Sequence, residues 1–430
     1  MPRRELLQLF FLALLNFTHI VDFVVMMPLG PKLMRIFGIS PTQFGLLVSA
    51  YTFAAGVSGF LGAVWLDRFE RRRALLFVYF GFLAGTLACG LAPTYPLLLG
   101  ARIATGLFGG CLSALVLAIV GDLVPPERRG RGVGIVMTAF SMATVIGVPV
   151  SLALVEAFQA WHAPFLFIVA CGLPVSVLVA RFFPVLRAHL DVPDRQSPWK
   201  ELGTAVAGTR EKLALLVAPA TIVGNFTIIP FISTYVVLNA GLPEKLLPLI
   251  YLCGGSATFF TSPYVGRLCD RFGAARVFLV AAPIAIVPAF LITHLPPVSA
   301  WLVALVTTTF FIFNHARFVP ATTLVTLNVR PKHRGAFMSL NSCLQQLSTG
   351  IASLIGGALV SQAANGRLEG FGRLAWISAA AILLSMVVVR KLIRYPDERT
   401  VEAPIRSSAP SVARNDHGDD DVLASGTGGA

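Results

Sequence analysis

The stretch Leu66-Asp67-Arg68-Phe69-Glu70-Arg71-Arg72-Arg73 returns, in shortened form, as Cys269-Asp270-Arg271-Phe272-Gly273. The two Asp-Arg-Phe triplets start at 67 and 270, an offset of 203. A second pair, Pro126-Glu127-Arg128-Arg129-Gly130 and Pro331-Lys332-His333-Arg334-Gly335, repeats at an offset of 205. All four segments are short, basic and flanked by long apolar runs. A near-constant offset between such loops means that one unit has been used twice, and two related halves in a bilayer point to a device that alternates around a site between them.

Of the 430 residues, 56% are hydrophobic and 13% charged, against about 25% charged in soluble domains. The apolar runs are long enough to cross ~30 Å of hydrocarbon, which takes about 20 helical residues, and lipid obliges them to be helices because the backbone must satisfy itself. Twelve spans are expected: Leu6–Leu29, Phe44–Leu66, Ala74–Ala92, Pro96–Gly121, Gly132–Ala157, Ala163–Leu186, Leu213–Leu238, Leu246–Val265, Arg276–Leu295, Ser299–Leu327, Gly335–Val360 and Phe371–Ile393. Arg3 and Arg4 resemble the start of a signal peptide, but the run behind them is too long, contains Asp22 and ends at no small-residue cleavage site, so it reads as a retained first helix.

The net charge of +13 does not indicate a nucleic-acid surface, because the basic residues fall in alternate loops. With the N-terminus inside, inner segments hold 25 Lys and Arg, from Arg3 through Arg399, and outer loops hold five: Lys32, Arg35, Lys245, Arg367 and Arg373. That asymmetry places both termini in the cytoplasm. The polar stretch 187–212 is expected to link two halves, 1–186 and 213–395, and the Ser-, Gly- and Asp-rich segment 396–430 has too few apolar residues to build a core. The six cysteines stand singly and in no metal-ligand spacing, so neither disulfides nor a metal site are expected. No HExxH, GxSxG or clustered acid pair suggests an enzyme, and nothing resembles a repeated channel filter.

Twelve spans, a long central linker and a doubled Asp-Arg loop together resemble the major facilitator superfamily over residues 1–395. The family loop Gly-x-x-x-Asp-Arg-x-Gly-Arg-Arg reads here Ala63-Val64-Trp65-Leu66-Asp67-Arg68-Phe69-Glu70-Arg71-Arg72, with Ala63 and Glu70 in place of the glycines; the second copy keeps Gly266 and Gly273 but loses the basic doublet. The resemblance implies an all-α membrane protein with twelve transmembrane helices in two pseudo-symmetric six-helix bundles. It makes Asp67, Arg68, Arg71, Asp270 and Arg271 gating residues that hydrogen-bond across the seam between halves or face a helix end of the other half. The alternative for such charges is plain anchoring of the loops on the inner face.

Arg102-Ile103-Ala104-Thr105-Gly106 is similar to the family's Arg-x-x-x-Gly signature in the fourth helix. An intramembrane arginine costs ~2.5 kcal/mol or more on insertion scales, so it faces a cavity or a partner, or snorkels to the outer headgroups. Gly147-Val148-Pro149, behind Ala143, is a loose version of the antiporter signature of the fifth helix; ordinary membrane-helix Gly and Pro would look the same. The segment from Phe140 to Pro149 followed by Ala163-Pro164-Phe165 is similar to arabinose-efflux-like permeases of the drug:proton antiporter group.

Asp22 lies in the first span ahead of Pro28, where the family often carries a proton-coupling Asp, and His19 shares its helical face and could share its proton. Asp22 could equally be a static partner of Arg102. In the second half, Asn225, Asn314, His315, Arg317, Asn341 and Gln345 form an amide-and-cation set suited to a polar organic solute, or serve as interhelical hydrogen bonds. Arg317 is about ten residues, ~15 Å, from the inner end of its span. The expected function is a proton-driven exporter of small organic molecules such as drugs or sugars, needing no cofactor beyond the proton gradient. It would act as a monomer in a bacterial inner membrane. The alternative is a proton symporter that imports a small metabolite, such as an anion drawn by Arg102 and Arg317.

Overall fold

The computed structural model describes residues 1–125, 128–187, 203–329 and 334–395. Most of the expected linker, the tail 396–430 and the centres of the second repeated loop pair lie outside the described residues, as does the side chain of Asp67. Met1–Arg394 forms one compact unit. Its long helices are α1 (Arg3–Val25), α2 (Pro41–Trp65), α3 (Arg71–Leu91), α4 (Tyr95–Leu123), α5 (Gly130–Phe158), α6 (Ala163–Phe182), α7 (Thr209–Leu238), α8 (Leu247–Phe272), α9 (Ala274–Thr293), α10 (Ala300–Leu327), α11 (Arg334–Leu359) and α12 (Phe371–Arg394). Ten of them are long and apolar enough to cross a bilayer by composition alone. The other two, α8 and α11, are diluted by Ser256, Thr258, Thr261 and Ser262 and by Asn341, Gln345 and Gln346. Both lie on the seam between the halves, so they face protein as well as lipid.

The twofold repeat is visible in packing. In the first half α2 packs on α4, α3 on α4 and α6, and α1 on α5 and α6; six helices later α8 packs on α10, α9 on α10 and α12, and α7 on α11 and α12. The seam obeys the same rule, with α2 against α11 and α5 against α8.

Prolines break two of the expected spans at matching places. α1 stops at Val25, and after a turn that contains Pro28 a short helix, Gly30–Phe37, resumes. α7 runs as Thr209–Phe226, a 3₁₀ turn at Ile229–Phe231 that holds Pro230, and Ile232–Leu238. A proline ring carries no amide donor and clashes with the preceding turn, so each helix re-starts in a new direction. Pro28 and Pro230 stand 202 residues apart, which makes them a third pair of repeat marks. The two short helices that follow them pack on each other.

The apolar core has three parts. One is shared: Val25, Phe44, Leu47, Val148 and Phe165 of the first half merge with Ile228, Phe231, Tyr235, Ile250 and Phe371 of the second. The second belongs to the first half alone, with Leu12, Leu75, Phe82, Val116 and Val179. The third belongs to the second half alone, with Val217, Phe278, Ala285, Val325 and Val389. The shared core lies toward the end that carries the α1–α2, α7–α8 and α11–α12 connections. Among the described residues, the hydrogen bonds and ion pairs that join the halves lie there too: Arg35 with Glu244, and Thr42 Oγ1 donating to the Gly357 carbonyl at 2.8 Å. Gly45 and Gly357 let α2 and α11 touch backbone to backbone, since a Cβ on Gly357 would sit 2.9 Å from the Pro41 carbonyl. The halves are therefore fused at one end and keep separate cores at the other.

Cysteines placed at Arg35 and Glu244, in a chain freed of its six natural cysteines, should be joined by a short bis-methanethiosulfonate cross-linker, because the native side chains meet there across the seam. After cleavage of a protease site inserted between α6 and α7, the two halves should migrate as one band that dithiothreitol splits.

Candidate functional site

The first buried charge cluster lies inside the first half, where α1, α2, α3 and α4 converge. Arg102 Nη1 donates to Asp22 Oδ2 at 2.8 Å, and both side chains are 0% exposed. Thr86 Oγ1 of α3 donates to the other carboxylate oxygen at 3.1 Å. The guanidinium also lies 4.2 Å from the ring centroid of Tyr51 on α2, a cation–π contact whose worth rises when water is excluded. Tyr51 is brought this close by Gly106 and Gly110, one turn apart on α4. A Cβ on Gly106 would fall 2.4 Å from the Tyr51 carbonyl and one on Gly110 2.0 Å from that of Ala55. This small-xxx-small face is what lets two membrane helices approach at backbone distance.

The arrangement decides between the two expectations for Arg102: it is paired with Asp22 and does not snorkel. It does not join His19 to Asp22. The His19 ring sits 5.7 Å from Phe82 and 6.3 Å from Tyr51, and neither ring nitrogen has a partner among the described residues. Arg102 Nε and Nη2 and the Tyr51 hydroxyl are likewise without partners there. A charge pair with spare donors and an idle imidazole beside it is one that a proton could rearrange.

The second cluster lies inside the second half. Arg317 on α10 is 0% exposed. Its Nη2 donates to the Asn225 carboxamide oxygen of α7, to Asn314 Oδ1 at 3.2 Å and to the Thr221 carbonyl at 3.4 Å. Asn314 in turn donates to the Phe310 carbonyl at 2.9 Å. The structure thus brings together Asn225, Asn314 and Arg317. His315 is half-buried with its ring toward Phe318. Asn341 is buried with its Oδ1 unpartnered, and half-buried Gln345 engages Thr349 of its own helix through its carbonyl. No hydrogen bond among the described residues ties these three to Arg317.

The loop between α2 and α3 is tied inward to its own half. Glu70, which stands where the family pattern has glycine, caps α3: its carboxylate accepts from the backbone N–H of Arg72 at 2.8 Å, Arg73 at 3.0 Å and Leu186 at 3.0 Å. Burial raises the Glu70 pKa, but those three donors and the Arg72 charge outweigh it, so the net shift is downward. Arg71 is 4% exposed and donates to Asp122 Oδ2 at 2.7 Å, and Arg72 reaches the Phe183 and Ala180 carbonyls that end α6. Asp122 lies just past the expected end of its span, because α4 runs on to Leu123. Arg68 is exposed. Asp270 and Arg271, expected in a loop, instead end α8, which runs on from its expected end at Val265 to Phe272; both are exposed, and Arg271 leans on the ring of Phe272.

Gly147 and Pro149 shape α5. The helix widens to a π turn over Ala143–Gly147 just before Pro149, as expected where a proline withholds its donor. The turn packs both ways. A Cβ on Gly147 would meet Val21 of α1 at 2.3 Å, and across the seam a Cβ on Gly255 of α8 would lie 2.7 Å from the Thr144 carbonyl.

The sequence pattern of the Major Facilitator Superfamily matches residues 12–319. The chain belongs to that superfamily. It is 24% identical to the MFS-type transporter YceJ of Bacillus subtilis (strain 168), over 86% of this chain and 92% of the relative. It is 27% identical to a chloramphenicol resistance protein of Streptomyces lividans, over 90% of this chain and 93% of that protein. Among solved structures, a bacterial homolog of the human lysosomal transporter Spinster, inward-facing and unoccupied, superposes with a TM-score of 0.69 at 19% identity, covering 91% of this chain and 95% of the other. The two bundles and their seam are therefore the major facilitator fold, and the chain is a membrane-embedded member of a family of small-molecule transporters.

Two outcomes follow for this major facilitator chain. Asp22→Asn and Arg102→Gln should each destabilise the purified protein by about 3–5 kcal/mol, since each strands a buried group, whereas the double variant should recover most of that loss; thermal unfolding in detergent reads this. Glu70→Gln should be less stable than wild type at neutral pH. Because the Glu70 pKa is lowered on folding, its stabilisation is present above the ordinary glutamate value of ~4.3 and fades as pH falls through the folded value, so the two unfolding curves should converge in acid.

Proposed function

We propose that the chain is a secondary active transporter that expels small organic molecules in exchange for protons, acting as a single chain in a bacterial inner membrane with both termini in the cytoplasm. The observation that carries the reading is the Asp22–Arg102 pair. It is a carboxylate sealed in the first half, held by one arginine and one threonine, with unspent donors and the His19 ring next to it. Protonation of Asp22 would release Arg102, and release would alter how α1, α2 and α4 sit together. A proton taken from one side and given to the other is then a change in packing inside the half that must rock.

The Lys and Arg asymmetry assigns the fused end to the outside. The conformation is then inward-facing, with the outer end closed by the shared core, Arg35–Glu244 and Thr42–Gly357, and each half keeping its own core toward the inner end. In this reading the halves 1–186 and 213–395 rock as units, and the loops carrying Asp67, Arg68, Asp270 and Arg271 close the inner side in the opposite state. Export is favoured over import by the Gly147–Pro149 turn, which lies on the seam between α1 and α8, and by the name of the Streptomyces lividans relative.

The test uses cells that overproduce the chain and a panel of antimicrobials that includes chloramphenicol and carboxylate-bearing compounds. For an exported compound, collapse of the proton gradient should raise its internal level, and Asp22→Asn should abolish the gradient-driven part. A fall in the internal level on collapse would assign import instead, and gradient-driven transport that survives Asp22→Asn would remove Asp22 from coupling.

A further inference from the structure

Each half of the molecule buries one arginine completely, and the two are provided for differently. Arg102 has an anion, Asp22. Arg317 has none within 4.0 Å among the described residues. The contrast is built into the repeat. Asn225, the residue that faces Arg317, stands 203 residues after Asp22, the same offset that separates Asp67 from Asp270 and one more than separates Pro28 from Pro230. Where the first half places a carboxylate, the second places its neutral isostere. The arginines themselves do not correspond, since Arg102 lies near the start of α4 and Arg317 in the second half of α10. Only the groups that face them do.

A guanidinium taken out of water without an opposite charge is costly, and carboxamide and carbonyl oxygens return only part of the loss. Here those oxygens all fall on Nη2. Nε and Nη1 have no partner among the described residues. Nη1 faces Gly224 of α7, where a Cβ would stand 3.4 Å from that nitrogen and 3.3 Å from the Ser378 carbonyl of α12. The Asn314 carboxamide is held by the Phe310 carbonyl, so its oxygen is fixed toward the arginine and its nitrogen is spent.

We infer that Arg317, with Asn225 and Asn314, is an anion subsite that receives the carboxylate, or a similar oxyanion, of the transported molecule, so that the substrates of this chain are organic anions. The inference rests on the reading of the chain as a transporter of small organic molecules and adds the substrate class to it. It also separates the two intramembrane arginines: Arg102 is neutralised inside the protein and is not available to a ligand, and Arg317 is. The counter-charge that the second half lacks arrives with the cargo. A loaded and an empty second half then differ by one unit of buried charge.

The test measures thermal unfolding of the purified full chain in nanodiscs of zwitterionic lipid, titrated with sodium acetate, benzoate or methanesulfonate, against sodium chloride at equal ionic strength and against neutral benzamide. At least one organic anion should raise Tm by roughly 2 °C or more over chloride, and benzamide should not. Asn225→Asp, which supplies the missing carboxylate from within, should be more stable than wild type in chloride and should lose the response to the organic anions. A flat response of wild type to all three organic anions overturns the inference, and this arm needs no variant to fold. A response to chloride equal to that of the organic anions also overturns it, by making the occupant a halide. Anion binding of the expected kind in a protein that moves no carboxylate in vesicles would leave the subsite standing and remove the exporter reading. Gradient-driven export of neutral compounds alone, with a flat anion response, would do the reverse.

Discussion

A guanidinium in hydrocarbon must be answered by an anion or by a dense set of acceptors, and this molecule answers two of them differently. In the first half Asp22, itself held by the Thr86 hydroxyl, pairs with Nη1 of Arg102, and the Tyr51 ring covers the guanidinium face. Four helices converge on that single contact, and the glycine face of α4 is what allows it. In the second half Arg317 is met only by carboxamide and carbonyl oxygens. The buried arginine of one half is therefore neutralised and that of the other is not; in the function proposed above, that inequality is what lets one half respond to protons and the other to cargo.

The joining is also unequal from end to end. A shared apolar core, two backbone-close helix crossings and an exposed ion pair hold one end. At the other end each half keeps its own core, and its loops are occupied in bracing their own helices through Glu70, Arg71 and Arg72. A surface pair such as Arg35–Glu244 contributes about 0–1 kcal/mol, so the closed end depends on packing. Packed interfaces are bistable because side chains interdigitate in one arrangement or another and seldom between them. A packed seam that can form at either end suits alternation better than one held by strong charges.

Much of this was legible in the sequence because lipid leaves so few options. The twelve runs and the half-chain offset follow from backbone satisfaction and loop charge; the end of the eighth does not, since α8 carries its helix through Asp270 and Arg271 to Phe272. The Asp22–Arg102 pair was legible as one of two readings, since an acid and a base in neighbouring spans invite each other. The breaks at Pro28 and Pro230 form a third repeat pair that the sequence alone does not single out, because proline is common in membrane helices. Tyr51 and Thr86 could not be found, because an aromatic ring or a threonine in an apolar run carries no mark of what it will face. Nor could the inward bracing of the α2–α3 loop: Glu70 looked like a departure from a glycine pattern, and only the position of Leu186 shows it to be a cap. His19 was placed with Asp22 by helical spacing. Spacing fixes a face, but rotamer and neighbours turned the ring to Phe82.

In the function proposed above, the halves part at one end as they meet at the other. Spin labels at Lys32 and Lys245 report on one end, and labels at Arg68 and Arg271 on the other. Double electron–electron resonance on both pairs, in nanodiscs across a range of pH, should give two distance distributions that change in opposite senses, one lengthening as its counterpart shortens. Distances that stay fixed at both ends, or that grow and shrink together, would contradict it.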